Sequence, residues 1–343
     1  MLVKEFDYEL PAKLIAQKPI PRRDQSRMMV LDRQTGKIVY SLFRKFPAFL
    51  NDGDVLAINT AKVIPAKAWG KNEGKEIDFL FLEEVEEAVW RVLCRPARSV
   101  KPGDFITFSP GLKGTVLWSE EEGKRVLQFQ DTDVLKELKR IGYAPLPPYI
   151  KRKKRDESLK ALDLERYQTS FAKKGQAIAA PTAGLHFTPK IFKQLLAKGV
   201  EVCSLSLDVG HATFQPVRAL RVENHKMLEE TYSISQKTAS SINRAAEESR
   251  RIVAVGTTSV RALESAFKQG KVQPGKSSTD LFIYPGFKFR VVDHLLTNFH
   301  LPQSTLLMLA AALAGLDFIK KAYQEAVREK FRFYSYGDCM LIL

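Results

Sequence analysis

The second half of the chain alternates apolar runs, polar loops and helix signals, and this alternation constrains its fold more than any other feature. AIAAP reads as a buried strand. After the loop PTAGLHFT, Thr188 and Pro189 supply an N-cap and a first-turn proline for the helix PKIFKQLLAKG, which Gly199 closes. VEVCSLSLDVG is the next strand, RIVAVG with TTSVRALESAFKQG begins another strand and helix, and FRVVD gives one more strand. Units of this kind build parallel sheets, and loops leaving the C-terminal ends of parallel strands gather on one edge, where open α/β proteins bind ligands. PTAGLHFT, DVGHATF, GTTSVR and HLLTNFHLP qualify as such loops. They carry His186, His211, His294 and His300, with only His225 elsewhere, so a single pocket is expected.

Residues 66 to 130 have a different texture. Short runs such as EIDFLFLEEV, AVWRVLCR, DFITFS and RVLQFQ lie between turns rich in Gly, Pro and charge, the pattern of a small all-β barrel or sandwich. The expected architecture is therefore α/β with an inserted barrel-like domain. Residues 1–65 and 148–343 would form the discontinuous α/β part, and 66–147 the insertion.

Composition narrows the partners. Lys and Arg number 54 against 39 Asp and Glu, a formal charge of +15, which points to a polyanion. The start MLVKEFDYELP has no apolar signal region, and the run Leu306 to Leu316 is well short of the ~20 residues a spanning helix needs, so a cytoplasmic protein is expected. Cys94, Cys203 and Cys339 are odd in number and far apart, as reduced thiols would be, and nothing calls for a metal.

Several motifs carry candidate chemistry. GTTS between a buried strand and a helix offers backbone N–H groups to a carboxylate or phosphate, or simply caps the helix through Thr258 or Ser259. No dinucleotide fingerprint or P-loop is present. Asp208 with His211 could form an acid and base pair, or Asp208 could hold a turn. Thr297, Asn298 and His300 sit in apolar surroundings, where a polar group without a partner costs about 1–3 kcal/mol, so they serve either a ligand or a buried network. KRKKR at 151–155 follows PLPPYI and is either a solvated loop or a segment that contacts phosphates.

QSRMMVLDR, NTAKVIPAK, PLPPYIKR, ERYQTSFAK, AAPTAGLHFT, DVGHATFQPV, HKMLEE, GTTSVRALES, FIYPGFKFRVVDHLLTNFHLPQSTLLML and FRFYSYGDCMLIL resemble, in order, the blocks of the S-adenosylmethionine:tRNA ribosyltransferase-isomerases of queuosine synthesis. The resemblance covers nearly the whole chain and implies an α/β domain with an inserted small β-barrel. It also implies a reaction. The ribosyl part of S-adenosylmethionine passes to the aminomethyl-deazaguanine at a tRNA wobble position and is isomerised, giving epoxyqueuosine, adenine and methionine. S-adenosylmethionine is then a consumed co-substrate, no other cofactor is implied, and the partner is a tRNA anticodon loop. The chain departs from the family pattern in two places. Asp208-Val209-Gly210-His211-Ala212 stands where His-Val-Gly and a second glycine are usual, and Lys67 stands where Arg is usual.

On this reading Asp208, His186 and His300 are candidates for proton transfer. Thr182, Gly184, Gly256, Thr257, Thr258, Arg261, Thr297 and Asn298 would bind the sulfonium nucleoside. Lys151, Arg152, Lys153, Lys154 and Arg155 would meet RNA phosphates, with Tyr334 and Tyr336 as stacking faces. A monomer with no membrane partner is expected. The rival readings are an RNA methyltransferase using the same donor and a non-catalytic RNA-binding protein.

Overall fold

Four short segments, Glu201–Leu207, Val55–Asn59, Ile252–Val255 and His294–Asn298, lie side by side and parallel in that order. The two in the middle, VLAIN and IVAV, are buried along their whole length, as strands covered on both faces must be. They form the centre of a nine-stranded mixed sheet in a computed structural model that describes residues 1–130, 133–210 and 217–343. On one side Glu230–Ile234 and Gly275–Thr279 extend it antiparallel. On the other, Cys339–Ile342 pairs antiparallel with His294–Asn298, followed by Arg27–Asp32 and the edge strand Lys37–Leu42.

Helices cover the sheet. Thr188 caps the helix Pro189–Ala197 by accepting from Ile191 N–H, as its sequence predicts. Thr257–Ala266 packs against the central strands. The greasy run is the helix Thr305–Ala314, capped by Ser304 and mostly buried in the core. No helix among the described residues is long and apolar enough to cross a membrane.

Two predicted strands lie elsewhere. AIAAP contributes only its first residue to the strand Lys174–Ala177, which pairs with Ala61–Val63 outside the large sheet. Both positions beside Glu201–Leu207 are already taken, by Val55–Asn59 and Glu230–Ile234. FRVVD is not a strand either. The backbone N–H groups of Arg290, Val291 and Val292 all donate to the Glu264 carboxylate, so they cannot join a ladder. The strand starts at His294 instead, which places that histidine at the opposite edge from His186 and His300.

The β-rich stretch forms a closed barrel of six strands, all antiparallel: Lys67–Asn72, Lys75–Glu86, Val89–Arg95, Phe105–Ser109, Leu112–Ser119 and Lys124–Phe129. Alternation fills it. Ile77, Phe79 and Phe81 point inward along one strand and meet Trp90, Val92, Ile106 and Phe129 in a separate core. The helix Val134–Ile141 closes the unit. Where the chain leaves, Tyr143 exchanges two backbone hydrogen bonds with Lys67, where it enters.

Gly142 makes that crossing possible. A Cβ there would stand 2.0 Å from the Pro65 carbonyl oxygen and 2.6 Å from that of Leu138, both backbone atoms that cannot swing aside. Gly142→Ala should therefore cost about 1–3 kcal/mol, the usual range for overpacking. Urea unfolding should show a lower midpoint, and an unchanged midpoint would mean the junction yields freely.

Candidate active site

At the C-terminal edge of the parallel strands, two strands end in Asn59 and Asn298, and the other two run on into Asp208 and into Gly256 with Thr257 and Thr258. Asn59 ties three of these ends together. Its Nδ2 donates to the Leu207 carbonyl at 2.9 Å and to Thr258 Oγ1 at 3.2 Å, and its Oδ1 accepts from the N–H groups of Ala61 and Leu207. An asparagine that closes an apolar strand is the readable signal for this role, yet the sequence reading did not single it out.

Beside this edge a cleft of about 1040 Å³ opens between the sheet domain and the barrel. Asp208, just past the end of its strand, lines it. Asp208 approaches the chain opposite so closely that a Cβ on Gly175 would stand 2.7 Å from Oδ1, and Gly175 holds a φ of +128°. Oδ1 is buried with no hydrogen-bond partner among the described residues. Burial raises the Asp208 pKa, Lys276 opposes the shift and Glu230 adds to it. His225, which the sequence set apart, also lines the cleft. Burial lowers its pKa, and it meets the Phe282 ring edge-on at 5.2 Å. Carboxylates flank the space on both sides: Asp208, Glu229 and Glu230 from the sheet, and Glu83, Glu120 and Glu122 from the barrel.

The other candidates lie differently. His186 and His300 are buried and do not line the cleft. His186 Nδ1 lies 2.6 Å from Ser26 Oγ, and Asn298 Nδ2 donates to its Nε2 at 3.3 Å. His300 Nε2 lies 2.7 Å from Thr297 Oγ1. Burial lowers both imidazoles to about 3. They are neutral near pH 7 and enclosed among the strand ends. Thr297 and Asn298 belong to the strand itself, and Asn298 Nδ2 also contacts the carbonyls of Tyr334 and Asp338.

Thr182, Gly184 and His186 lie in one 3-10 turn, which packs against the strand His294–Asn298. Gly256 caps the helix Thr257–Ala266 with no side chain, and the N–H groups of Thr257 and Thr258 have no hydrogen-bond acceptor among the described residues. Arg261 is buried in an ion pair with Glu230 and donates to the carbonyls of Leu281 and Thr279, so its charge is already met. Tyr334 and Tyr336 are buried, only 6% and 4% exposed, and a stacking platform needs an open face. His211 lies outside the described residues.

The cysteines Cys94, Cys203 and Cys339 are free and buried. No group of three or more His, Cys, Asp or Glu side chains among the described residues is arranged to hold a metal ion.

Comparison with known proteins agrees with this architecture. The family described as queuosine biosynthesis protein matches residues 3–342. The chain belongs to that family. Within the queuosine biosynthesis family, a Thermotoga petrophila protein is 47% identical over 344 residues, and one from Halothermothrix orenii is 47% identical over 348. In both cases the match covers 100% of each chain, and both relatives are named S-adenosylmethionine:tRNA ribosyltransferase-isomerase. The crystal structure of an S-adenosylmethionine tRNA ribosyltransferase from Thermotoga maritima matches with a TM-score of 0.56 and 39% identity, over 99% of this chain and 100% of that one. Inserted barrel and mixed sheet are thus the family's architecture.

The buried histidines give a pH signature. Between about pH 6.5 and pH 3 the unfolded imidazoles bind protons that the folded ones do not, so stability falls as pH falls through this window. At pH 5 the loss is about 2 kcal/mol per histidine. His300→Gln should flatten the urea midpoint between pH 7 and pH 5. A variant as pH-sensitive as the parent would mean that His300 takes up its proton without leaving the fold.

Proposed function

We propose that the chain transfers the ribosyl part of S-adenosylmethionine to 7-aminomethyl-7-deazaguanine at the wobble position of tRNA and isomerises it. The products are epoxyqueuosine, adenine and methionine. The observation that carries this reading is full-length identity of 47% to relatives named for that activity.

The cleft supports it chemically. The donor's sulfonium is a cation, and the six carboxylates of the lining face only five Lys and Arg in a chain whose overall charge is +15. The reaction needs a base, because the sulfonium acidifies the neighbouring ribose carbon and loss of that proton allows adenine to depart. Asp208 is suited to the task, since a carboxylate with a raised pKa binds a proton more strongly. The nucleoside amine then attacks, and closure of the epoxide expels methionine as a neutral thioether. No net oxidation or reduction occurs. The uncapped start of the helix Thr257–Ala266 offers its N–H groups to the methionine carboxylate. His186, His300, Thr297 and Asn298 act as positioning residues beneath the edge, and S-adenosylmethionine and tRNA are the substrates.

Incubating the protein with S-adenosylmethionine and tRNA bearing the deazaguanine precursor should release adenine and add the ribosyl mass to the nucleoside. Asp208→Asn should slow adenine release by about 10²- to 10⁴-fold while RNA affinity is kept. S-adenosylhomocysteine in place of adenine would mean methyl transfer. No donor turnover at all would leave an RNA-binding protein.

A further inference from the structure

A second hollow, of about 310 Å³, opens where the barrel meets the sheet domain. Lys67 and Trp69 border it from the barrel, and Tyr143, Lys151, Lys153 and Lys160 from the returning chain. The basic run divides sharply here. Arg152 donates to both oxygens of Asp163, at 2.7 and 2.9 Å, and Asp163 also accepts from the Tyr336 hydroxyl at 3.1 Å. Lys154 pairs with Glu76 and Asp78, and Arg155 with Glu76, so these cations fasten the run to the barrel.

Lys151 and Lys153 are exposed and have no ion pair among the described residues. Lys67 faces only the Trp69 ring, at 5.5 Å. Of the acids in the lining, Asp163 is paired with Arg152, while Asp156 accepts from the N–H of Ser158 and attracts Lys153. Lys160 lies 3.8 Å from Glu157 and 4.4 Å from the Tyr143 ring. Lys67, Lys151 and Lys153 therefore share one concavity without an ion pair among the described residues, and their three charges outnumber the one lining carboxylate outside an ion pair, Asp156, an arrangement that an anion relieves. The indole N–H of Trp69, a further lining residue, is buried without an acceptor among the described residues. Cations also lie over the Trp69 and Tyr143 rings, so the hollow suits an oxyanion better than a stacked base.

Resting on the tRNA substrate proposed above, we infer that this hollow holds a backbone phosphate of the RNA. Lys67 from the barrel and Lys151 with Lys153 from the returning chain then grip one strand across the domain junction. The site is separate from the carboxylate-lined cleft, and its lysines bear on RNA affinity and not on the chemical step.

The test uses the full chain, with Lys67→Gln and the double variant Lys151→Gln/Lys153→Gln, titrated with an anticodon stem-loop RNA over a range of salt. We expect affinity to fall about ten-fold in the double variant. The slope of log affinity against log salt should become shallower by about one per lysine removed. KM for tRNA should rise while kcat stays within about two-fold, since the lysines contribute binding common to ground and transition states. Lys154→Gln, at a position already paired, should leave the slope unchanged. Unaltered affinity and slope in both lysine variants would overturn the inference. So would thermal stabilisation by inorganic phosphate that the double variant loses without any change in RNA affinity, because the site would then serve a free phosphate. The titration needs no turnover, so failure of the catalytic reading, seen as no adenine from the parent protein, is distinguished from failure of this one.

Discussion

A strand buried on both faces can present polar chemistry only where it ends, and this constraint shapes the protein. Val55–Asn59 and Ile252–Val255 are enclosed throughout, and the strands beside them run the same way. Their polar termini, Asn59, Asp208, Thr258 and Asn298, are thus delivered to one edge by register alone. Asn59 uses its amide on three neighbouring strand ends at once, with both of its polar atoms engaged. The spacing of these groups is set by sheet hydrogen bonds and not by loops, and of the four Asp208 lines the cleft.

The net charge of +15 is distributed unevenly. Among the described residues six carboxylates and five cations line the cleft, and two of those cations, Arg91 and Lys124, are ion-paired. Arg91 bonds Glu83 and Glu120, and Arg261 behind the wall neutralises Glu230. Free lysines collect instead at the junction hollow. The two concavities thus differ in make-up: acids and bases interleave in the cleft, whereas lysines dominate the hollow.

The barrel was legible because its signals are local: alternation of period two and turns dense in Gly and charge. The helix cap at Thr188 was legible for the same reason. The sheet order was not. Its central strand comes from residues 55–59, and Cys339–Ile342 enters between His294–Asn298 and Arg27–Asp32, the latter a pairing across nearly the full length of the chain. FRVVD has strand composition, but a carboxylate 26 residues earlier in sequence takes its N–H groups. The division of the KRKKR run was not legible, because Glu76 and Asp78, which pair with Lys154 and Arg155, are remote from it in sequence. Histidines on polar loops suggested a pocket lining. Only coordinates separate the buried His186 and His300 from the cleft-lining His225, since an aromatic neighbour looks the same in sequence whether it packs above or around a ring.

Placing neutral hydrogen-bonding groups beneath a charged reaction site has a physical logic. A charge buried there would need its own partner and would shift the ionisation of every group near it. An imidazole held neutral does neither. With Nε2 accepting from Asn298, His186 carries its proton on Nδ1 and donates it to Ser26, so a single tautomer fixes the turn Thr182–His186 against the strand end. Asn298 extends the tie to the carbonyls of Tyr334 and Asp338, and Asp338 in turn accepts from the N–H groups of Arg27 and Arg332. The network thus binds four distant segments, with the Asp338 carboxyl group held by two backbone N–H groups and the imidazole itself neutral. Asp208, whose ionisation is tuned by burial, Lys276 and Glu230, can then take up a proton at the cleft wall without a competing imidazolium below.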